Sequence, residues 1–334
     1  METQKNLSVK DIAQLAGTSV ATVSRVLNHN GRFSKETEQR VLDVIEKYGY
    51  EPNQLARGLR AKQARTIGVL VPDLSKDFYA NMTMEVQRNL LDKGYMAIIG
   101  SSDENIDNTR RFLSFLKTRK VDGLIYIGNS DLKPEISIPT VYIDRDPRDS
   151  IPDFDDYAMV ECDNIQGGYL AGMELIEQGC RHICLASYPF FISTHRKRLQ
   201  GFRQAMEEAG IDFPEDHIFE IFENHLDTGY NTMKMILKKH PDTDGVFMIS
   251  DYLALAALKY LQRNNISVPE QIRIIGFDDI KGCRFTTPEL TTIRQPIAEM
   301  ARVGVERMMD ILEKKPIETQ RLRLPVELIR RGST

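Results

Sequence analysis

Arg25 closes the stretch Ser19-Val20-Ala21-Thr22-Val23-Ser24-Arg25, which mixes short hydroxyl side chains, small apolar ones and one guanidinium. A guanidinium can donate two hydrogen bonds to the O6 and N7 edge of guanine. Val20 and Ala21 offer apolar contact, as to a thymine methyl. Thr18, Ser19, Thr22 and Ser24 suit phosphate oxygens, which position a protein on a duplex without reading its sequence. The competing reading is an ordinary helical hairpin with a solvated Arg25.

A second set of polar residues follows short apolar runs: Asp73, Ser101-Ser102-Asp103, Asp144-Arg145-Asp146, Ser250-Asp251 and Asp278-Asp279. Carboxylates beside an arginine suit a polyhydroxylated ligand, because each hydroxyl both donates and accepts. Phe78-Tyr79 can stack on a sugar face. An aspartate after a strand is as often a loop former or helix cap. Chemistry of other kinds finds no support. No G-x-S-x-G, phosphate loop or H-E-x-x-H occurs. His182, His195, His217, His225 and His240 lack nucleophile or ligand spacing. Cys180 and Cys184 flank His182, but a structural zinc site needs a second such pair. HICLAS (182–187) reads as a buried strand, and a structural role is expected for these cysteines and for the lone Cys162 and Cys283. No catalytic residue, metal or cofactor is expected.

Several elements must hold these residues. Ser8 can cap a helix over 9–15, with Asp11 at the capping-box position. Ala16-Gly17-Thr18 breaks it, and Ser19 caps a second helix over 20–27. Two short helices joined by a Gly-containing turn make a helix-turn-helix. Ser34 caps a third helix, with Val41, Leu42, Val44, Ile45 and Tyr48 as its stripe and Gly49 past its end. Pro52-Asn53-Gln54-Leu55-Ala56-Arg57-Gly58-Leu59-Arg60 then offers an apolar pair, Leu55 and Leu59, flanked by arginines. Such a segment can fold on DNA and wedge into the minor groove, or serve as a plain linker.

From residue 66 strands and helices alternate. Strands are expected at 66–72, 95–101, 123–128 and 140–144, then at 182–187, 217–222, 245–250 and 272–277. Helices are expected at 78–93 and 105–119, then near 164–178, 196–209, 228–239 and 252–264. Alternation of this kind argues for parallel sheets covered on both faces, and two series for two lobes. Ligands in such sheets sit beyond the carboxyl ends of the strands.

Composition agrees. The 334 residues are 41% hydrophobic and 28% charged, with a net charge of -4. Residues 1–65 hold 11 Lys/Arg against 7 Asp/Glu, and the rest 33 against 41. A basic head on an acidic body suggests that only the head meets a polyanion. No apolar run suits a membrane span and the polar N-terminus is unlike a signal peptide, so a cytoplasmic protein is expected.

SVKDIAQLAGTSVATVSRVLN (8–28) followed by YGYEPNQLARGLR (48–60) resembles the lac repressor/galactose repressor (LacI/GalR) family of bacterial transcription regulators. RLQGF (198–202), SDYLALAALKYL (250–261) and GFDD (276–279) extend the resemblance along the body. It implies an α/β protein: a three-helix headpiece (1–52), a hinge helix and linker (53–65), and a two-lobed body (66–334) like type I periplasmic sugar-binding proteins. The lobes are expected near 66–162 plus 294–317, and 163–293 plus 318–331.

The resemblance implies that Val20, Ala21 and Arg25 read bases. It implies that the hinge helix carries Asn53, Ala56, Arg57 and Arg60 onto DNA, and that Leu59 intercalates. It implies that Arg198 clamps a small-molecule effector, with Asp278 as its carboxylate partner and Ser250 beside them; the strand-end reading adds Phe78, Tyr79, Asp103, Arg145 and Asp251. Two departures stand out. Ser250 takes a position often held by Asn, and Asn224 stands where many members have an aromatic, which suggests a more polar wall unless Phe222 swings in.

The implied partners are double-stranded operator DNA of palindromic sequence, a sugar or sugar phosphate, and a second copy of the chain. The implied function is a sugar-responsive repressor, without membrane contact. The alternative is a global carbon-catabolite regulator using a phosphorylated protein corepressor. Against it, Glu306 stands where that regulator presents an arginine, and a carboxylate repels phosphate. No heptad run follows Arg331, so a dimer is expected.

Overall fold

The computed structural model describes residues 7–27, 30–50, 64–128, 138–149, 157–222, 227–317 and 319–334. The chain divides into two compact units, one up to Ala64 and one from Arg65 onward.

In the first unit, Ser8 and Asp11 cap α1 (Val9–Leu15) reciprocally. The Ser8 amide donates to Asp11 Oδ2 at 2.7 Å and the Asp11 amide to Ser8 Oγ at 3.4 Å. The turn passes through Gly17 at φ 62°, a left-handed conformation that only glycine adopts freely. Ser19 Oγ accepts from the Thr22 amide at 3.1 Å to open α2 (Val20–Leu27), and Ser34 caps α3 (Lys35–Tyr48). Ile12, Ala13, Ala16, Val23, Val26 and Val41 form the core. The expected stripe on α3 is narrower than the sequence suggested. Val41 is buried and Val44 and Ile45 are half-buried, but Leu42 and Tyr48 are exposed. Two short helices cover only one side of α3.

The second unit contains two six-stranded sheets. In chain order the elements are β1 (Thr66–Val71), α4 (Asp77–Asp92), β2 (Met96–Ser101), α5 (Ile106–Arg119), β3 (Gly123–Ile127), β4 (Thr140–Ile143), β5 (Ala158–Cys162), α6 (Asn164–Glu177), β6 (Ile183–Ser187), α7 (Ser193–Glu208), β7 (Ile218–Glu220), α8 (Thr228–Lys239), β8 (Gly245–Met248), α9 (Asp251–Arg263), β9 (Arg273–Asp278), β10 (Thr291–Arg294), α10 (Ile297–Leu312), β11 (Arg321–Leu324) and β12 (Glu327–Ile329). The first sheet runs β11-β5-β4-β3-β1-β2, all parallel. The second runs β12-β10-β9-β8-β6-β7, parallel except that β12 pairs antiparallel with β10. β3, β6 and β8 are buried along their whole length, as strands covered on both faces must be.

The expected second lobe needs one correction. Residues 321–324 form β11, which pairs with β5 in the first sheet (Leu322 opposite Val160), and only β12 joins the second. Arg321 explains the placement: its guanidinium reaches buried Asp146 at 2.6 Å and buried Glu161 at 3.5 Å, both in the first lobe. The chain thus passes between the sheets after β5, after β10 and again after β11. The start of α7 also differs from expectation. It begins at Ser193, three residues early, because Ile192 precedes it without a side-chain cap that the sequence could signal.

Helices α6 and α7 cross backbone to backbone. A Cβ on Gly168 would stand 1.9 Å from the Arg198 carbonyl oxygen, and one on Gly201 1.8 Å from that of Ile165. Only glycine permits that approach, and it fixes where α7 presents Arg198. All four cysteines are buried free thiols, and burial pushes those of Cys180 and Cys184 up to about 11.

Candidate nucleic-acid interface and ligand cavity

The second helix of the head buries Val23 and Val26 and turns Ala21 and Arg25 outward, four residues apart on one face. Ser19 is exposed, while Thr18, Val20, Thr22 and Ser24 are half-buried. The Ser19 hydroxyl is shared: it caps the helix and lies 2.9 Å from Thr22 Oγ1. Asn53, Ala56, Arg57, Leu59 and Arg60 lie outside the described residues.

In the second unit, a cavity of about 450 Å³ opens beyond the carboxyl ends of strands from both sheets. Its polar floor is Arg198, Asp278, Gln295, Asp144 and His195. Arg198 is buried, donates from Nε to Asn164 Oδ1 and from Nη1 to the Ile249 carbonyl, both at 2.8 Å, and lies 3.5 Å from the Phe277 ring centroid. Its Nη1 is 3.9 Å from Asp278 Oδ1. Its Nε and Nη1 are thus held before any ligand arrives.

Asp278 holds φ 127°, a strained value for aspartate, at the end of β9. Its Oδ1 accepts from Gln295 Nε2 at 2.7 Å. Burial pushes its carboxyl up to about 8, against the pull of Arg198. Burial likewise raises Asp144, against Arg145 and Arg198. His195 is held well below the usual histidine range by burial and by both arginines, so its ring is neutral. Its Nδ1 meets the Pro189 carbonyl at 3.3 Å and must carry the proton, which leaves Nε2 as an acceptor.

Tyr79 and Phe78 lie edge to face, centroids 5.2 Å apart, and Arg145 Nη2 donates to Tyr79 Oη at 3.1 Å. Ser250 lines the cavity and caps α9. The mouth carries Tyr188, Tyr252, Phe191 and Phe222, the last two strongly exposed.

Two expected cavity residues are displaced. Asp251 is fully buried and does not line the cavity. Its carboxylate accepts from Thr292 Oγ1 (2.5 Å), the Ile280 amide (2.9 Å) and Cys283 Sγ (3.1 Å), bracing the turn after β9. Asp103 is exposed at φ 53° in a turn, and the cavity is lined by Glu104 instead. Asn224 lies outside the described residues. Lys76, His195, Tyr188 and Gln295 line the cavity but were not singled out from the sequence. His195 was legible, since it stands three residues before Arg198 on the same helix face.

Asp216, His217 and His240 come close together on the second lobe. Lys239 Nζ already donates to the Asp216 carbonyl at 2.8 Å, and one nitrogen of each imidazole is engaged by a backbone carbonyl, so we assign no metal there.

Comparison with known proteins agrees with this geometry. Residues 8–53 match the bacterial regulatory proteins of the lacI family, and residues 173–334 match a periplasmic binding protein-like domain. A ribose operon repressor of Halalkalibacterium halodurans is 33% identical over 98% of this chain and 97% of its own length. The transcriptional repressor PurR of Salmonella arizonae is 32% identical over 98% and 96%. Among solved structures, a transcriptional regulator CelR–cellobiose complex is 29% identical, with a TM-score of 0.74 over 98% of this chain and 100% of that one. The lac repressor dimer bound to operator and the anti-inducer ONPF shares the fold, with a TM-score of 0.87 over 98% of this chain and 99% of that one, at 22% identity. Head and body together are those of a bacterial transcriptional regulator, not an enzyme. More narrowly, the chain belongs to the lacI family.

Proposed function

We propose that the protein is a repressor that binds a palindromic operator as a homodimer and changes its operator affinity when a sugar or sugar-derived molecule fills the cavity. One observation carries this reading. The same chain joins a capped helix-turn-helix, whose Ala21 and Arg25 face solvent, to a cavity whose Arg198 and Asp278 are held ready by Asn164 and Gln295. Val20, Ala21 and Arg25 read base edges, and Thr18, Ser19, Thr22 and Ser24 meet phosphates. The segment with Asn53, Ala56, Arg57, Leu59 and Arg60 enters the minor groove. Phe78, Tyr79, Arg145, Arg198, Ser250 and Asp278 contact the effector.

The similarity to a ribose operon repressor and to a regulator bound to cellobiose favours a sugar. A second copy fits the free edge of the first sheet, where Met96 and Ile99 of β2 are exposed beside Met84 and Leu91 of α4. A phosphorylated protein corepressor is disfavoured, because Glu299 and Glu306 flank Arg302 on α10 and bind it at 2.6 Å each. No helix among the described residues is long and apolar enough to cross a membrane, and a repressor works in the cytoplasm.

The test is operator selection from a random duplex pool, followed by fluorescence anisotropy. The expected result is a palindromic consensus bound by two chains, with affinity altered by a cavity ligand. A strictly monomeric protein without sequence preference would refute the reading.

A further inference from the structure

We propose that the cavity's ligand carries an acidic group, a phosphate or carboxylate, which Lys76 and Arg145 hold while its hydroxyls meet Arg198, Asp278 and Gln295. This rests on the cavity being the effector site and concerns only what the effector is.

Lys76 immediately precedes α4, is partly buried and lines the cavity. Its ammonium lies 5.7 Å from the Tyr188 ring centroid, and its strongest carboxylate influences are Glu104 and Asp73. Among the described residues it forms no ion pair. An ammonium drawn out of water without a close anion is costly, and an acidic ligand would relieve that cost. Arg145 stands in the same cavity, 3.9 Å from exposed Glu104.

The backbone adds to these cations. α4 and α7 are each 16 residues long, both begin at the cavity, and neither has a side-chain hydrogen bond on its cap. Their first-turn amides suit an anion. Gln295 is an independent sign of an occupant: it is 3% exposed, its Nε2 is bound to Asp278, and its Oε1 has no partner. A hydroxyl of the ligand would supply the missing donor.

Four carboxyls line the cavity: burial drives Asp144 and Asp278 toward the protonated form, while Asp77 and Glu104 are exposed beside Lys76 and Arg145. The nearly buried His195 ring is neutral and adds an acceptor. An acidic group would therefore sit beside Lys76 and Arg145, taking the place of Glu104 as their counter-ion.

Tag-free full-length protein is followed by thermal melting and calorimetry. The probes are inorganic phosphate, then ribose against ribose 5-phosphate, and glucose against glucose 6-phosphate and gluconate. Inorganic phosphate should raise the melting temperature. An acidic sugar should bind on the order of tenfold tighter than its neutral parent. That ratio should fall toward one in Lys76→Met and persist in Lys76→Arg, with circular dichroism verifying the fold of each. The phosphate and carboxylate arms tell which acid is held. Neutral sugars binding as tightly as acidic ones, no stabilisation by phosphate, or an unchanged preference in Lys76→Met would overturn the proposal and leave the effector site standing. Failure of every sugar to bind a protein that still binds its operator would instead remove the effector reading beneath it.

Discussion

Asp278 and Arg198 face each other across 3.9 Å of the cavity floor, and burial raises the aspartate's carboxyl to about 8 in spite of that arginine. A carboxyl raised to about 8 in the folded chain, against about 3.9 for an unfolded aspartate, binds more protons folded than unfolded between those values. Stability from this group is therefore full below pH about 4 and is lost as pH rises through about 8. Urea unfolding of the protein and of Asp278→Asn should show the variant gaining on the parent as pH rises from 5 to 8. A constant difference would contradict the buried carboxyl. At the head, Arg25→Ala should cost about 1–3 kcal/mol at one base pair and relax specificity there, as read by anisotropy on operators varied singly. Arg198 and Asp278 line the cavity, where the R-x-x-G-F and G-F-D-D strings led them to be expected. Residue identity misplaced Asp251 and Asp103, because the sequence cannot say whether a carboxylate after a strand turns into the crevice, as Asp278 does, or away from it to brace a turn.

At the scale of elements, the alternation of strands and helices was plain wherever runs were long and continuously apolar, as in GLIYI and ICLAS. Short strands were not. β10 and β12 have four and three residues, and β11 alternates arginine and leucine, a pattern that reads equally as a loop. What holds β11 in the first sheet is pairing with β5 and the Arg321 bridge to Asp146 and Glu161, contacts made across more than 150 residues of sequence. The crossing of α6 and α7 gives the sharpest prediction here. Gly201→Ala must push a methyl into the Ile165 carbonyl, so the helices must part. The expected loss is about 3 kcal/mol or more in denaturant unfolding, above the usual cost of overpacking, because the obstacle is backbone. An unchanged midpoint would show that the pair can slide freely.

For the whole molecule, the decisive property is the division of labour between a basic head and an acidic body. Operator affinity should fall steeply with salt, in proportion to the phosphates contacted. Leu59→Ser should weaken operator binding while sparing non-specific duplex, and equal loss on both would argue against a wedge. If ligand and operator are coupled, each must change the other's affinity by the same factor, a symmetry that paired titrations can check. The sequence conveyed this arrangement because charge and motif are local properties. It conveyed the lining of the cavity only in part: Phe78, Tyr79, Arg145, Arg198, Ser250 and Asp278 line it as expected, but Lys76, Tyr188, His195 and Gln295 come from helix starts and loops that no motif marked.

The two glycines at the crossing of α6 and α7 have an evolutionary corollary. They anchor the clamp to main-chain atoms, which point mutation cannot retune gradually. Lys76, Tyr188 and Phe222 line the cavity from turns and strand ends outside that crossing, so a change of side chain there need not disturb it. If the cavity takes an effector as proposed, a change of ligand should begin at those positions and leave Arg198 in place.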